Sequence, residues 1–328
     1  MNNHLKEAVS SAPAKVILFG EHFVVYKNPA IAAAINKRVK VHAQVNDDMH
    51  INIKSGEYSL NVHATSNVDP VLTPDSSLSF LYPIFMCVKH VLSEQHNHNI
   101  GINLIVDSQI PYGEGLGSSA ASCVATVAAL YSLFSSRDRS RIYGTAKTME
   151  ETIHMNSSGI DCYVSTFGGI VNYEPDRGFN NIGIKKNFTL LIGTTGVKHA
   201  TGEVVSQVRH FREKNLTLFK DLSSKARVIC RRSMNSILEG NEVELGNLLT
   251  ENHKLLTLLG VSHPNIEKLI ERCLDNGALG AKLTGAGRGG AIIALIPSES
   301  CKEISNRLSK GSEKWMLVEF DHIGVAFG

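Results

Sequence analysis

The hydrophobic positions of this chain follow two rhythms that take turns along it. Ile102, Leu104 and Val106 interleave with Asn103, Ile105 and Asp107, a two-residue period that predicts a strand. Residues 120–134 follow without a Gly or Pro and read as a buried helix. Ile266, Leu269, Ile270, Cys273 and Leu274 fall at i, i+3, i+4, i+7 and i+8, one face of an amphipathic helix. Pro264 suits its first turn and Gly277 its C-terminal end. The same reading predicts strands over 16–19, 30–35 and 39–45, helices over 76–92 and 141–154, and a bend into a strand over 164–173 around Gly168-Gly169. The pattern restarts near residues 185–187. A strand is predicted over 189–192, helices over 201–214, 220–239 and 243–259, and a strand over 291–296. Ile304 and Leu308 mark another helix, and 316–320 reads as the last strand. Strands and helices are mixed throughout, so the fold class is α+β, with two domains divided as 1–183 and 184–328.

Composition narrows the picture. At 328 residues, 43% apolar and 20% charged, the chain is an ordinary globular protein large enough for two domains. A net charge of +2 and the lack of any Lys/Arg block argue against nucleic acid as a partner. No apolar run reaches the length of a membrane span, and residues 1–7 lack the apolar core of a signal peptide. Six scattered cysteines with no C-x-x-C pair read as free, mostly buried thiols, which predicts a cytoplasmic enzyme. The sequence leaves a homodimer open, since exposure is not legible in it.

Two glycine-rich runs carry the chemistry. The first is Pro111-Tyr-Gly113-Glu114-Gly115-Leu116-Gly117-Ser118-Ser119-Ala120, between the predicted strand and the buried helix. Glycine lets backbone N–H groups approach a ligand closely, and such a run at a helix start suits a polyphosphate. No Gly-Lys-Ser/Thr follows, so it is not a Walker loop. Gly115-x-Gly117-x-x-Ala120 approaches a dinucleotide fingerprint, but the helix leads into polar residues 135–141 instead of a second strand ending in an acid. Ser118 and Ser119 are expected to cap the helix, and a hydroxyl there also suits Mg²⁺. A plain capped turn is the rival reading.

Lys15 precedes the predicted strand at 16–19, where an unpaired buried ammonium would be costly, unless it snorkels to the surface. Glu21 and His22 follow that strand, either as turn residues or as ligands. Glu150 and Asp161 sit at the ends of a polar segment, as solvated carboxylates or as the acids that phosphoryl transfer to an alcohol requires. His96 and His98 read as a surface loop in preference to a metal site.

Taken together, these segments resemble the galacto-, homoserine, mevalonate and phosphomevalonate (GHMP) small-molecule kinase family. Ala12-Pro-Ala-Lys15-Val-Ile-Leu-Phe-Gly20-Glu21-His22, residues 111–121, and the second glycine run, Lys282-Leu-Thr284-Gly285-Ala286-Gly287-Arg288-Gly-Gly290, are similar to its three motifs, in order. Gly20-Glu-His-Phe-Val-Val-Tyr and residues 150–161 are most similar to the family's mevalonate branch. The resemblance implies a GHMP kinase fold, with a ribosomal-S5-like N-terminal domain, a ferredoxin-like C-terminal domain and the active site between them. It implies ATP and Mg²⁺ as cofactors and mevalonate as the small-molecule substrate. Asp161 and Lys15 would be catalytic, and Pro111, Gly113, Glu114, Gly115, Leu116, Gly117, Ser118, Ser119 and Ala120 would bind the nucleotide. Ser119 and Glu150 would hold the metal. Lys15, Glu21, His22, Asp161, Thr284, Gly285, Ala286 and Gly287 would meet the substrate. Arg288, Glu114, Ala291 and Ser157 depart from the family pattern. Arg288 and Glu114 are expected to pair across the cleft, and an Arg288 facing the substrate would favour a more anionic one.

Overall fold

The computed structural model describes residues 6–64, 79–95, 100–153, 158–197, 201–311 and 313–328. His96, His98, Ser157 and the start of the helix expected from residue 76 lie outside them.

The N-terminal part is a large sheet backed by helices. Its strands are β1 (Glu7–Phe19), β2 (Ala30–Asn46), β3 (His50–Ser55), β4 (Tyr58–His63), β5 (Gly101–Ser108), β6 (Ile170–Glu174) and β7 (Gly178–Ile182). The order is β1-β2-β5-β3-β4, with β6 pairing β2 and β7 pairing β6. Helices α1 (Tyr82–Glu94), α2 (Ser118–Leu133), α3 (Arg139–Ile153) and α4 (Ile160–Phe167) belong to this part. Every residue of α2 from Ala120 to Leu133 except Ser122 is buried, which explains its lack of a polar stripe. It packs on β1 and β2 and is flanked by α1, α3 and α4.

The C-terminal part runs β8 (Thr189–Thr194), α5 (Thr201–Lys214), α6 (Leu216–Glu239), α7 (Glu242–Leu258), α8 (Pro264–Asp275), β9 (Gly280–Thr284), β10 (Ala291–Ile296), α9 (Cys301–Leu308) and β11 (Lys314–Val318). Its antiparallel order β11-β8-β10-β9 is the ferredoxin-like arrangement. β8 and β10 are buried almost throughout, so they read as continuous apolar runs in the sequence. The chain then returns to the first sheet. β12 (Ala326–Phe327) pairs β1 through Ser10 and Ser11, and Asp321 N donates to Ala34 O at 2.9 Å.

Four expectations change. The strand expected over 16–19 begins at Glu7, so Lys15 lies inside it. Register shifts at Pro13/Ala14 and Ile17/Phe19 break the alternation, and small residues such as Ser10 are buried in it. The strands expected over 30–35 and 39–45 are one, β2, whose polar Asn36-Lys37-Arg38 spans the first of those shifts. Residues 160–167 are helical, and the bend at Gly168-Gly169 leads into β6 only at Ile170. The last strand is β12, because the run at 316–320 ends as β11 at Val318. The cysteines are free, five of them buried and Cys301 half-buried. Among the described residues no helix is long and apolar enough to cross a membrane.

Candidate active site

Lys15 points from β1 into the junction of α2 and α4. Its N–H donates to Leu116 O at 3.0 Å, which ties the strand to the first glycine run. Its aliphatic stem lies against Gly117, where an added Cβ would sit 2.7 Å from Lys15 Cγ. With 5% exposure the ammonium cannot snorkel, and it pairs instead with Asp161 Oδ2 at 3.1 Å. Asp161 occupies the first turn of α4, where the positive end of the helix dipole favours a carboxylate. One turn further on, Ser165 Oγ donates to Pro13 O at 2.9 Å. The helix that carries the acid is therefore fastened to the strand that carries the cation.

Gly113, Gly115 and Gly117 are left-handed, with φ of 80°, 78° and 74°. Gly117 is itself the N-cap of α2, with no side-chain capping bond. Ser118 and Ser119 therefore fill the first two helical positions and do not cap the helix, because the left-handed glycine already ends the loop. The first N–H groups of a helix have no partner within it, and here they open the helix beside Lys15. Ser119 Oγ is buried without a hydrogen-bond partner. Glu114, Leu116 and Ala120 are buried, and Tyr112 is exposed. Pro111 borders a cleft of about 430 Å³ together with Thr194, Lys314 and Trp315.

Glu150, near the end of α3, is 6% exposed. Its Oε2 accepts from Cys162 Sγ at 3.3 Å, and Cys162 is the residue after Asp161. Burial, reinforced by the Glu150 charge, pushes the Cys162 thiol well up, so it stays a donor. A buried hydroxyl oxygen lacking a partner and a buried carboxylate make a hard-oxygen donor set. That set fits Mg²⁺, which takes one or two protein oxygens alongside phosphates.

The second glycine run closes the other side. Thr284 Oγ1 donates to Ile17 O and accepts from Ile17 N, both at 3.0 Å. This buried hydroxyl is committed to joining β9 to β1, so it builds the wall and does not present a group to the cleft. Gly285 and Gly290 approach the first run closely. A Cβ at Gly285 would lie 3.2 Å from Gly115 O, and one at Gly290 would lie 3.1 Å from Glu114 O. Gly287 abuts Val261 O.

His22 adopts a left-handed φ of 58° and donates Nε2–H to Ala286 O, with 2.8 Å between the heavy atoms. Burial lowers its pKa to about 4, so the imidazole is neutral. The Glu21 carboxylate faces inward, where it pairs with Lys282 and accepts from Asn252 Nδ2 at 3.4 Å. Burial pushes Glu21 up and Lys282 down, each opposed by the charge of the other. Lys282 opens the second glycine run in the sequence, but neither it nor Asn252 was read as a site residue.

Arg288 does not pair with Glu114. Its own left-handed turn, φ 58°, has the N–H on Val261 O, and Nε donates to Gly260 O at 3.3 Å. The exposed side chain lines a different cleft of about 330 Å³ with Val208, Phe211 and Leu259.

Lys15, Asp161, both glycine runs and the Glu21–His22 turn thus meet where the two parts of the chain join. The N-terminal domain of the GHMP kinases matches residues 83–169 and their C-terminal domain matches residues 233–313. The chain belongs to the GHMP kinase family and is an ATP-dependent kinase. Its relatives within that family include mevalonate kinases. It is 34% identical to that of Thermococcus gammatolerans over 97% of each chain, and 34% identical to that of Pyrococcus furiosus over 97% of this chain and 98% of the relative. The Methanococcus jannaschii mevalonate kinase structure aligns with a TM-score of 0.83 at 26% identity, covering 97% of this chain and 99% of the other. The L. major mevalonate kinase bound to R-mevalonate has the same fold, with a TM-score of 0.85 at 24% identity over 98% and 99% of the two chains.

Proposed function

We propose that this protein transfers the γ-phosphoryl group of ATP to the 5-hydroxyl of (R)-mevalonate, giving 5-phosphomevalonate and ADP in isoprenoid precursor synthesis. The observation that carries this reading is the 3.1 Å pair between Lys15 Nζ and Asp161 Oδ2 beside the open end of α2. Phosphoryl transfer has a loose transition state, so catalysis is mostly positioning and charge stabilisation. Asp161 orients the attacking hydroxyl and takes its proton as the new O–P bond forms and the bond to the leaving ADP oxygen breaks. Lys15 draws electron density from that hydroxyl and stabilises the charge on the moving phosphoryl group. Residues 111–120 bind the nucleotide, and backbone N–H groups of residues 113–119 hold its phosphates. Ser119 and Glu150 would hold Mg²⁺, which would supply positive charge at the phosphates. His22, Gly285, Ala286 and Gly287 line the substrate corner, with Glu21 and Thr284 behind them. We further propose a domain division at 183/184 and a cytoplasmic location, the latter supported by the free thiols.

The test is ADP release with ATP and Mg²⁺ on mevalonate, 5-phosphomevalonate, galactose and homoserine. Turnover confined to mevalonate is the expected result. Turnover on another alcohol reassigns the substrate, and no turnover on any of the four removes the mevalonate assignment.

A further inference from the structure

We infer that Lys282 is a positioning residue of the substrate corner, acting through Glu21 on the turn that carries His22. The inference rests on the reading above that His22 faces the substrate.

Lys282 is fully buried, with 0% exposure, so it cannot touch a substrate. Its ammonium has two acceptors, Glu21 Oε1 and Leu283 O, the latter at 2.7 Å. The Glu21 side chain is 1% exposed and its other oxygen accepts from Asn252. Both carboxylate oxygens are therefore gripped by the C-terminal part, while the residue belongs to the turn ending β1. The next residue, His22, holds a φ of 58°, a conformation that residues with side chains rarely adopt. Such a conformation persists only where its surroundings hold it from several sides.

The grip runs on past the strand. Lys282 and Thr284 stand at alternate positions of β9, and Ala286 lies in the turn after it, beyond the left-handed Gly285. Lys282 holds Glu21, Thr284 holds Ile17 and the Ala286 carbonyl holds His22. Alternate residues of an extended segment share a face. The face of β9 that carries Lys282 and Thr284 is thus fitted against the end of β1 and the turn after it, and the Ala286 carbonyl extends the contact to His22. Thr284 and Ala286 contribute neutral hydrogen bonds. Lys282 contributes a charge, and a buried ion pair is generally no more stabilising than well-packed apolar side chains of the same volume. What the pair adds is a defined geometry, because the carboxylate has to meet the ammonium at one point. Lys282 thereby sets the turn that presents His22 to the cleft.

The experiment is a double-mutant cycle with Lys282→Met and Glu21→Gln, read as KM for mevalonate, KM for ATP and kcat. Lys282→Met is expected to raise KM for mevalonate by about tenfold or more, with kcat within about threefold and KM for ATP unchanged, the pattern of lost substrate positioning. In the Glu21→Gln background the same substitution is expected to add less than about twofold, because the carboxylate it acts through is gone. Fully additive effects, or a fall in kcat at constant KM, would overturn the role. Should Lys282→Met fail to fold, the neutral double variant against Glu21→Gln alone decides the same question. A parent enzyme inactive on mevalonate would overturn the substrate assignment instead, so the two failures are distinguishable.

Discussion

The neutral His22 makes stability depend on pH in a calculable way. Burial depresses its pKa from 6.5 to about 4; the bond to Ala286 O opposes the shift and the Lys282 charge adds to it. Between those values the unfolded imidazole binds a proton that the folded one does not. Acid therefore favours the unfolded chain, and the contribution of His22 is full above about pH 6.5 and lost as pH falls towards 4. A shift of this size amounts to about 3 kcal/mol in all, of which about 2 kcal/mol is already gone at pH 5. The perturbation is His22→Gln, which keeps an N–H donor and removes the titration. Urea unfolding of parent and variant at pH 7.5, 6 and 5 isolates the difference; the other buried imidazole with a lowered pKa, His253, is present in both. The parent should lose about 2 kcal/mol more than the variant between pH 7.5 and 5. Parallel stability curves would mean that His22 is protonated or solvated in the folded protein, and the description of the corner would be wrong.

Three further outcomes follow from the site. Asp161→Asn should lower kcat by roughly 10²–10⁴ with nucleotide affinity little changed; near-parental turnover would remove it from the reaction. Glu150→Gln should weaken Mn²⁺ binding measured by electron paramagnetic resonance and raise the Mg²⁺ requirement of turnover; an unaltered metal titration would move the ligand elsewhere. Gly117→Ala combines a left-handed φ of 74° with a 2.7 Å contact to the Lys15 stem. It should cost about 1–2 kcal/mol or more in thermal unfolding and lower kcat as well, and a variant matching the parent in both would show that the stem is not held there.

The residues of the candidate site were legible because they lie in contiguous motifs. Asp161, Lys15 and the glycines of residues 113–117 each sit in a short segment whose residue types have few other uses. β8 and β10 were legible as continuous apolar runs, and the helices from α5 to α8 because burial there follows one simple period. β1 was not, since its register shifts and buried small residues erase the alternation that marks a strand. α4 was hidden by being only 8 residues long, between Gly159 and Gly168. The Lys282–Glu21 pair is separated by 261 residues, and no local pattern in the sequence announces such a partner. Ser118 and Ser119 show the opposite failure. They are good capping residues by type, but the left-handed Gly117 ends the loop one position before them. Arg288 was read as facing Glu114 across the cleft from loop composition alone, and its left-handed turn directs it towards Gly260.

The return of the chain to its first sheet has a consequence for biosynthesis. β1, which carries Lys15, is flanked by β2 on one side and by β12 on the other. Asp321 also pairs with Arg38, and the carbonyls of Ile323 and Val325 accept from Arg139. The edge of β1 at residues 9–11 therefore stays open until residues 319–328 have left the ribosome, however early α2 and β2 have packed. Exposed strand edges invite wrong partners while they wait, and contacts this distant in sequence form late. Even if the N-terminal part folds first, the strand that carries Lys15 gains this neighbour only when residues 319–328 arrive.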